Sequence, residues 1–100
     1  MMNEASIATP VGLPVPSHEL ALDAVRRDGG ALVFALSVPA DAAVKVGVHD
    51  VTGRRVWSER FDARSGRQEF RRPVRLQSGI YFAVASDGLR HVTRKFAWLR

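Results

Sequence analysis

The clearest regularity in the chain is an alternation of apolar and polar residues with a period of two. Val44, Val46 and Val48 alternate with Lys45, Gly47 and His49. β-Branched residues at every second position favour a half-buried strand over an amphipathic helix. Similar alternations recur along the chain and are separated by Gly, Pro, Asp and Ser, the residues that form turns. The pattern therefore predicts strands and no helix.

Turn residues divide the region from His18 onward into seven predicted strands. Their approximate ranges are 20–26, 32–38, 44–48, 54–61, 67–76, 80–85 and 91–99. Seven short strands at a spacing of roughly 10 residues are typical of an all-β, two-sheet antiparallel sandwich.

Two of the turns have specific signals. The segment Asp50-Val51-Thr52-Gly53 predicts a type I turn with a following bulge. An Asp side chain can accept hydrogen bonds from the backbone amides two and three residues further on, and Gly tolerates positive φ. Asp87-Gly88 predicts a two-residue hairpin loop.

The facing of some apolar residues follows from the alternation, and that of others does not. Leu20, Leu22 and Ala24 are predicted on one face, and Phe70 and Val74 are predicted to anchor the basic strand 67–76. The continuous apolar run 80–85 predicts a strand covered on both faces, with either the Tyr81 set or the Phe82 set turned to the core. The neighbours Val56 and Trp57 can both point inward only if a bulge separates them.

Residues 1–17 have a different character from the predicted domain at 18–100. They contain Pro10, Pro14 and Pro16 and no sustained period, which predicts a Pro-rich arm or linker. They lack the basic, apolar and cleavage regions of a signal peptide, so we expect none in this chain. No apolar run in the sequence approaches the roughly 20 residues of a transmembrane helix.

The charge is unevenly distributed. The chain has 15 basic and 10 acidic residues, and 12 of the basic residues but only four of the acidic ones fall in positions 51–100. One hypothesis is a stripe that tracks the phosphates of nucleic acid or another polyanion, formed by Arg54, Arg60, Arg64, Arg67, Arg71 and Arg75. The alternative is a solvated surface with cross-strand ion pairs to Glu59, Asp62 and Glu69. Because 13 basic residues are arginine and no nucleic-acid motif accompanies them, we favour the solvated surface.

The sequence offers no set of residues suited to catalysis. It contains no cysteine, which excludes disulfides, thiolate metal sites and cysteine nucleophiles. His18, His49 and His91 fall on separate predicted strands or strand ends without metal-ligand spacing, and Asp41 and Asp50 are expected to cap turns. The aromatic residues are expected in the core. We therefore predict no catalytic, cofactor or metal site and no enzymatic activity.

Three phrases of the sequence together resemble one protein family. Residues 49–56, HDVTGRRV, resemble the YDVxGRxV hairpin of the C-terminal sorting domains of type IX-secreted bacterial proteins, a superfamily shared with the immunoglobulin-like domain of the flagellar hook-capping protein. Residues 78–82, SGIYF, are similar to its SGxYF strand, and residues 93–100, TRKFAWLR, resemble its closing strand. The matching motif positions are Asp50, Gly53, Arg54, Val56, Gly79, Tyr81 and Phe82.

The resemblance implies both fold and function. It implies a seven-stranded antiparallel immunoglobulin-like β-sandwich that is noncatalytic and needs no cofactor. It implies a secreted or cell-surface bacterial protein whose sorting or attachment module is recognised by secretion machinery or a cell-envelope component. The implied recognition element is the last strand, with Thr93, Arg94, Lys95, Leu99 and Arg100.

Two alternatives to sorting stay open at this point. The first is a structural or assembly domain similar to that of the hook cap, since one sandwich fold serves many roles. The second is a polyanion-binding or nucleic-acid-binding module that uses the arginine-rich second half.

Overall fold

The computed structural model describes residues 19–99, which form seven antiparallel strands. The strands are β1 (Ala21–Asp28), β2 (Ala31–Val38), β3 (Ala42–His49), β4 (Arg55–Ala63), β5 (Gly66–Pro73), β6 (Gly79–Ser86) and β7 (His91–Trp98). Helices are absent from the described residues. The predicted arm at 1–17, His18 and Arg100 lie outside this range.

The strands form two sheets of order β1-β2-β5 and β4-β3-β6-β7. In the constant-type immunoglobulin arrangement the fourth strand joins the sheet of the first, second and fifth strands. Here β4 pairs with β3 instead, which produces the division into three and four strands. The prediction of a seven-stranded immunoglobulin-like sandwich is confirmed.

The core lies between the central strands of the two sheets. Alternate residues of β3, Val44, Val46 and Val48, are fully buried and face the equally buried Phe34 of β2. The rings of Phe34 and Phe61 meet edge to face with centroids 5.4 Å apart, and Phe61 also contacts Phe70 at 4.6 Å. The aromatic residues of different strands thus join the two sheets, in a geometry that adds to the stabilisation from burial.

Two bulges change the facing predicted from the alternation. In β1 the pairing with β2 shifts between Asp23 and Arg26, and Ala24 has a positive φ of 50°. The prediction that Ala24 shares the buried face is therefore wrong, because the bulge turns it to solvent. In β4 the register shifts beside Val56, so that Val56 and Trp57 are both half-buried against the core.

Two strand predictions need correction at the chain's second half. β5 ends at Pro73 rather than at residue 76, since proline has no amide to continue the ladder. In β6 the core face belongs to Tyr81, Ala83 and Ala85, whereas Ile80 is 39% exposed, so the strand is not covered equally on both faces.

A hairpin joins β6 and β7 as predicted, but the prediction of a two-residue loop is wrong, because four residues, 87–90, separate the two strands. The backbone amide of Asp87 donates to the carbonyl of Arg90 at 3.1 Å. The Asp87 carboxylate accepts the amides of Leu89 and Arg90 at 2.9 and 2.8 Å. These hydrogen bonds hold the pKa of Asp87 below its ordinary value.

Charged side chains connect the edge strands of the two sheets on both sides of the sandwich. On one side the Arg94 guanidinium of β7 donates to the Leu22 carbonyl of β1 and pairs with Asp23, each at 2.9 Å. On the other side Arg72 of β5 pairs with Glu59 of β4 at 2.7 Å, and its guanidinium lies 4.7 Å from the centroid of the Phe61 ring. Inward-reaching charges of this kind discourage further strands from adding to a sheet edge.

Candidate functional site

The strand pairing brings the three family-like phrases to the same end of the sandwich. His49 at the end of β3 pairs with Phe82 near the start of β6, and Gly79 pairs with Trp98 at the end of β7. The β3–β4 hairpin, the β5–β6 connection and the end of β7 therefore lie together. We call this region the motif end.

The β3–β4 hairpin at the motif end is organised by Asp50. The Asp50 carboxylate accepts the amides of Thr52 and Arg54 at 2.9 and 3.0 Å and the Thr52 hydroxyl at 2.5 Å. The Gly53 amide donates to the backbone carbonyl of Asp50, so the side-chain bonds reach two and four residues on rather than two and three. Gly53 has φ of +88°, as the predicted turn requires.

The ionisation of Asp50 is part of this hairpin. The hydrogen bond from the Thr52 hydroxyl is the largest cause that holds the pKa of Asp50 below its ordinary value. The backbone amides and the Arg54 guanidinium, whose Nε lies 3.5 Å from the carboxylate, act in the same direction. The turn is thus stabilised in the ionised state of Asp50.

Five of the seven motif positions line one groove of about 390 Å³ at the motif end. These positions are Asp50, Arg54, Val56, Gly79 and Tyr81. The Tyr81 ring is buried, as expected of an aromatic residue, and its hydroxyl donates to the Gln77 carbonyl at 2.7 Å. The bond fixes the connection before β6 against the strand itself.

Gly53 and Phe82 do not line this groove. Gly53 lies at the hairpin tip. Phe82 is half-buried on the outer face of the four-stranded sheet, because it alternates with the inward-facing Tyr81. The motif positions therefore divide into a turn, a groove and one outward-facing aromatic residue.

A second cavity, of about 570 Å³, lies on the other side of the β5–β6 connection. Its lining includes Arg27, Leu76 and Trp98, and Arg75 borders both this cavity and the motif groove. The guanidinium of Arg27 lies 5.5 Å from the centroid of the Trp98 ring and donates to the Leu99 carbonyl. Arg27 is far from the motifs in sequence, and only the pairing of distant strands brings it there, whereas Arg75 precedes the phrase SGIYF by three residues.

The predicted recognition element, the C-terminal strand, is anchored on one face and exposed on the other. Phe96 and Trp98 are buried, while Thr93 and Lys95 are exposed on the outer face of β7 and Leu99 is 66% exposed. The Tyr81 and Phe96 rings stack with centroids 5.9 Å apart. Arg94 differs from its neighbours, because its guanidinium is committed to β1.

The arginine stripe considered above does not form. Its residues come from β4 and β5 and the turns beside them, and these two strands belong to different sheets. Arg71 pairs with Asp28 at 2.5 Å, and this bond is the largest cause of the lowered pKa of Asp28. The acidic residues proposed as partners of the stripe do form ion pairs in two cases, Glu59 with Arg72 and Glu69 with Arg26, both outside the six arginines named.

The described part of the chain contains no group of three or more His, Cys, Asp or Glu residues placed to hold a metal ion. His49 and His91 lie on different strands of the four-stranded sheet. Asp41 caps a neighbouring turn, since its carboxylate accepts the Ser65 amide at 2.7 Å. Among residues 19–99 there is also no helix long and apolar enough to cross a membrane.

Comparison with known proteins identifies one family. The family model described as a secretion system C-terminal sorting domain matches residues 31–98. This range includes β2 to β7, both walls of the motif groove and the predicted recognition strand up to Trp98, whereas β1 precedes it. A search of curated proteins found no match. The chain belongs to the family of secretion system C-terminal sorting domains.

Proposed function

We propose that this domain is a noncatalytic sorting module of the type IX secretion system, which directs an attached protein to the cell exterior. The observation that carries the proposal is the family match over residues 31–98. It covers most of the sandwich, so the resemblance concerns a folded domain rather than a short phrase.

The form of β7 supports its role as the element that the secretion machinery recognises. A recognised strand must keep a defined conformation and also present side chains to a partner. The buried Phe96 and Trp98 serve the first need, and the exposed Thr93, Lys95 and Leu99 serve the second. Such exposed side chains contribute little to folding stability, which leaves them available for recognition.

Surface attachment is the second part of the proposal. It rests on the family match and on the resemblance of the three phrases to sorting domains, which implies attachment at the cell surface. We propose that the sorted protein stays at the cell surface after export.

The test is export of a reporter fused ahead of residues 1–100 in a host with type IX machinery. Deletion of 93–100 removes most of β7, so circular dichroism must show whether the fold survives. The sharper variant is T93A/K95A/L99S, which alters only exposed side chains, and R64A/R67A is its control at exposed positions in the turn before β5 and on that strand. Export of the triple variant at the wild-type level would contradict recognition through β7.

Surface attachment has its own measurement. Cell fractionation and protease treatment of intact cells are expected to find the exported reporter on the cells. Recovery of all the reporter from the medium would leave sorting intact and refute attachment.

A further inference from the structure

Exposed apolar side chains gather at the motif end of the sandwich. Four large apolar side chains are exposed among the described residues, and three of them lie at this end: Val51 is 70%, Ile80 39% and Leu99 66% exposed. The fourth, Leu89, lies in the β6–β7 hairpin at the opposite end. Single exposed apolar residues are ordinary on a protein surface, whereas a group of them marks a contact site.

Strand pairing places these side chains beside one another. Ile80 is directly opposite the exposed Ala97. Leu99 lies two residues beyond Ala97 and follows the inward-facing Trp98, so it shares the outer side of the sheet. It is thereby a diagonal neighbour of Ile80. Val51 and Ile80 line the same groove. We call Val51, Ile80, Ala97 and Leu99 the apolar tip.

A row with two basic residues lies behind the apolar tip. Two residues back from the tip on β6 and β7, Phe82 is directly opposite Lys95. On its other side Phe82 is opposite His49, which is opposite Arg55. Lys95 and Arg55 are both exposed, and no carboxylate of the described residues pairs with either. Since two residues of an antiparallel strand span roughly 7 Å, the outer face passes from apolar to basic over that distance.

The groove at the motif end adds to this positive charge. Arg54 and Arg75 line it, and its one lining carboxylate is that of Asp50. That carboxylate is committed to the hairpin, since it accepts backbone amides of its own turn at 2.9 and 3.0 Å. The opposite end differs, because the hairpin that carries the exposed Leu89 also carries the Asp87 carboxylate. Exposed apolar residues and unpaired positive charge therefore coincide at the motif end.

We propose that the motif end docks on an anionic lipid bilayer, with the apolar tip inserted among the lipids and Lys95, Arg55 and Arg75 at the level of the headgroups. A bilayer is apolar inside and charged at its surface, and the domain presents the same order from the tip backwards. Segments that lie in the interface bury their apolar side chains roughly 5–10 Å deep, which matches the spacing of about 7 Å between the tip and the basic row. Anionic lipids also attract basic side chains near the membrane surface.

The order of these residues favours a bilayer over a nucleic acid or a protein partner. A nucleic acid offers phosphates but no apolar layer beyond them for Val51 and Leu99. A protein would have to supply an apolar layer and an anionic layer at the same spacing, which anionic lipids supply without specific contacts. The inference goes beyond the proposed sorting role, since a bilayer contact needs no component of the secretion machinery, and Lys95 and Leu99 belong to both surfaces.

The direct test is sedimentation of the full chain with vesicles of phosphatidylglycerol and phosphatidylcholine in equal parts. Each basic residue near an anionic surface strengthens binding roughly fivefold, so vesicles of phosphatidylcholine alone should bind at least ~10-fold more weakly. The variant V51T/I80T should weaken binding at least ~10-fold, because it removes apolar surface from the tip without a change of charge. Leu89→Thr is the control at the opposite end and should bind like the wild type. Thermal melting should place both variants near the wild type, because the substituted side chains are exposed.

The basic row has its own variant. R55E/K95E reverses both charges and should weaken binding to the phosphatidylglycerol vesicles at least ~10-fold. Its control is R64E/R67E, which makes the same change in net charge at exposed positions in the turn before β5 and on that strand. The control should lose much less binding, because charges distant from the membrane are screened at physiological salt. Equal losses in the two variants would show attraction by net charge alone and overturn docking by the motif end.

Insertion of the tip can be followed directly because the chain has no cysteine. Val51→Cys labelled with a nitrobenzoxadiazole fluorophore should show a blue-shifted emission with the phosphatidylglycerol vesicles, and labelled Leu89→Cys should not. The blue shift reports transfer of the label to an apolar environment, which adsorption to the headgroups does not produce. Absence of wild-type binding, unchanged binding of V51T/I80T, or equal shifts of the two labels would each overturn the proposal.

The reporter assay separates this inference from the sorting role. If the wild-type fusion is exported and the chain does not bind vesicles, the sorting role stands and the bilayer contact is refuted. If the chain binds vesicles as described and the wild-type fusion is not exported, the sorting role fails while the bilayer contact stands. If V51T/I80T impairs export although the wild type does not bind vesicles, the tip contacts a protein and the bilayer contact is likewise refuted.

Discussion

Trp98 should contribute more to the stability of this domain than any exposed residue of the recognition strand. It is the last residue of β7, is 2% exposed and lies beneath the guanidinium of Arg27. A tryptophan buries roughly 150–250 Å² of side-chain surface, which at about 25 cal/mol per Å² corresponds to ~4–6 kcal/mol. Because unfolded chains already bury part of this area, we expect Trp98→Ala to cost ~3–5 kcal/mol.

Such a loss is large for a small domain. Total stabilities of about 5–15 kcal/mol are usual, so the substitution would remove a third or more of a mid-range value. At roughly 4–8 °C per kcal/mol for a domain of this size, Tm should fall by about 12–40 °C. Urea titration followed by far-ultraviolet circular dichroism measures the free energy of unfolding directly, and a thermal melt gives the second value.

The matched control is Trp57→Ala. Trp57 is the same residue type but is only half-buried beside the bulge of β4, so its loss should cost roughly half as much. If Trp98→Ala costs less than about 1 kcal/mol, or less than Trp57→Ala, the inner face of β7 is not anchored as described. In the export assay Trp98→Ala should fail together with folding, whereas T93A/K95A/L99S should fail while fully folded.

Three further predictions concern the motif hairpin, its ionisation and the open side of the sandwich. Gly53→Ala should lower the free energy of unfolding by about 1–2 kcal/mol through backbone strain, because φ is +88° and an added Cβ would meet no neighbour. Gly30→Ala also has free space but no positive φ, so it should cost little. Equal costs of the two substitutions in urea titration would refute this explanation. The lowered pKa of Asp50 adds folding stability that is present above the ordinary pKa of 3.8 and is lost as pH falls through the lower pKa of the folded state. The Tm of the wild type should therefore decline below about pH 4, and Asp50→Ala should reduce that decline. Parallel profiles of Tm against pH for the two proteins would contradict the role of Asp50. A double-mutant cycle of Arg72→Met and Glu59→Gln should give a coupling free energy of ~0.2–1 kcal/mol, because both side chains of this ion pair are more than one-third exposed. Zero coupling at low salt would show that the ion pair does not hold β4 and β5 together.

The sequence alone was sufficient for the strands and for their class of fold. The valines of β3 alternate with small or polar residues, and the Asp50–Gly53 turn and the Asp87-Gly88 hairpin punctuate the chain. Period, turn chemistry and β-branching are local properties, and all of them agree here. The turn at Asp50 could also be anticipated, because its bond to Thr52 depends on residues only two positions apart, whereas the choice between Tyr81 and Phe82 for the core could not.

Facing was harder to predict wherever a bulge intervenes. Ala24 turns to solvent and Val56 shares the core side with Trp57 because the ladder gains a residue at each place. A one-residue change of register reverses every side chain beyond it, and local composition does not encode where this happens. The ends of β5 and the half-exposed outer face of β6 likewise depend on what the neighbouring strand or sheet covers.

The surfaces that bear on function were decided by tertiary structure. The charges that looked like one arginine stripe belong to strands of two sheets, and Arg71 found Asp28, 43 residues away. Arg94 reaches Leu22 across 72 residues, and Lys45 lies directly opposite Arg60. Alternation along a strand determines which residues share a face, but only strand order determines which strands lie side by side. The sequence by itself therefore specified the strands, the turns and the family motifs, whereas their packing decided that the motifs share one end and which arginines meet an acidic partner.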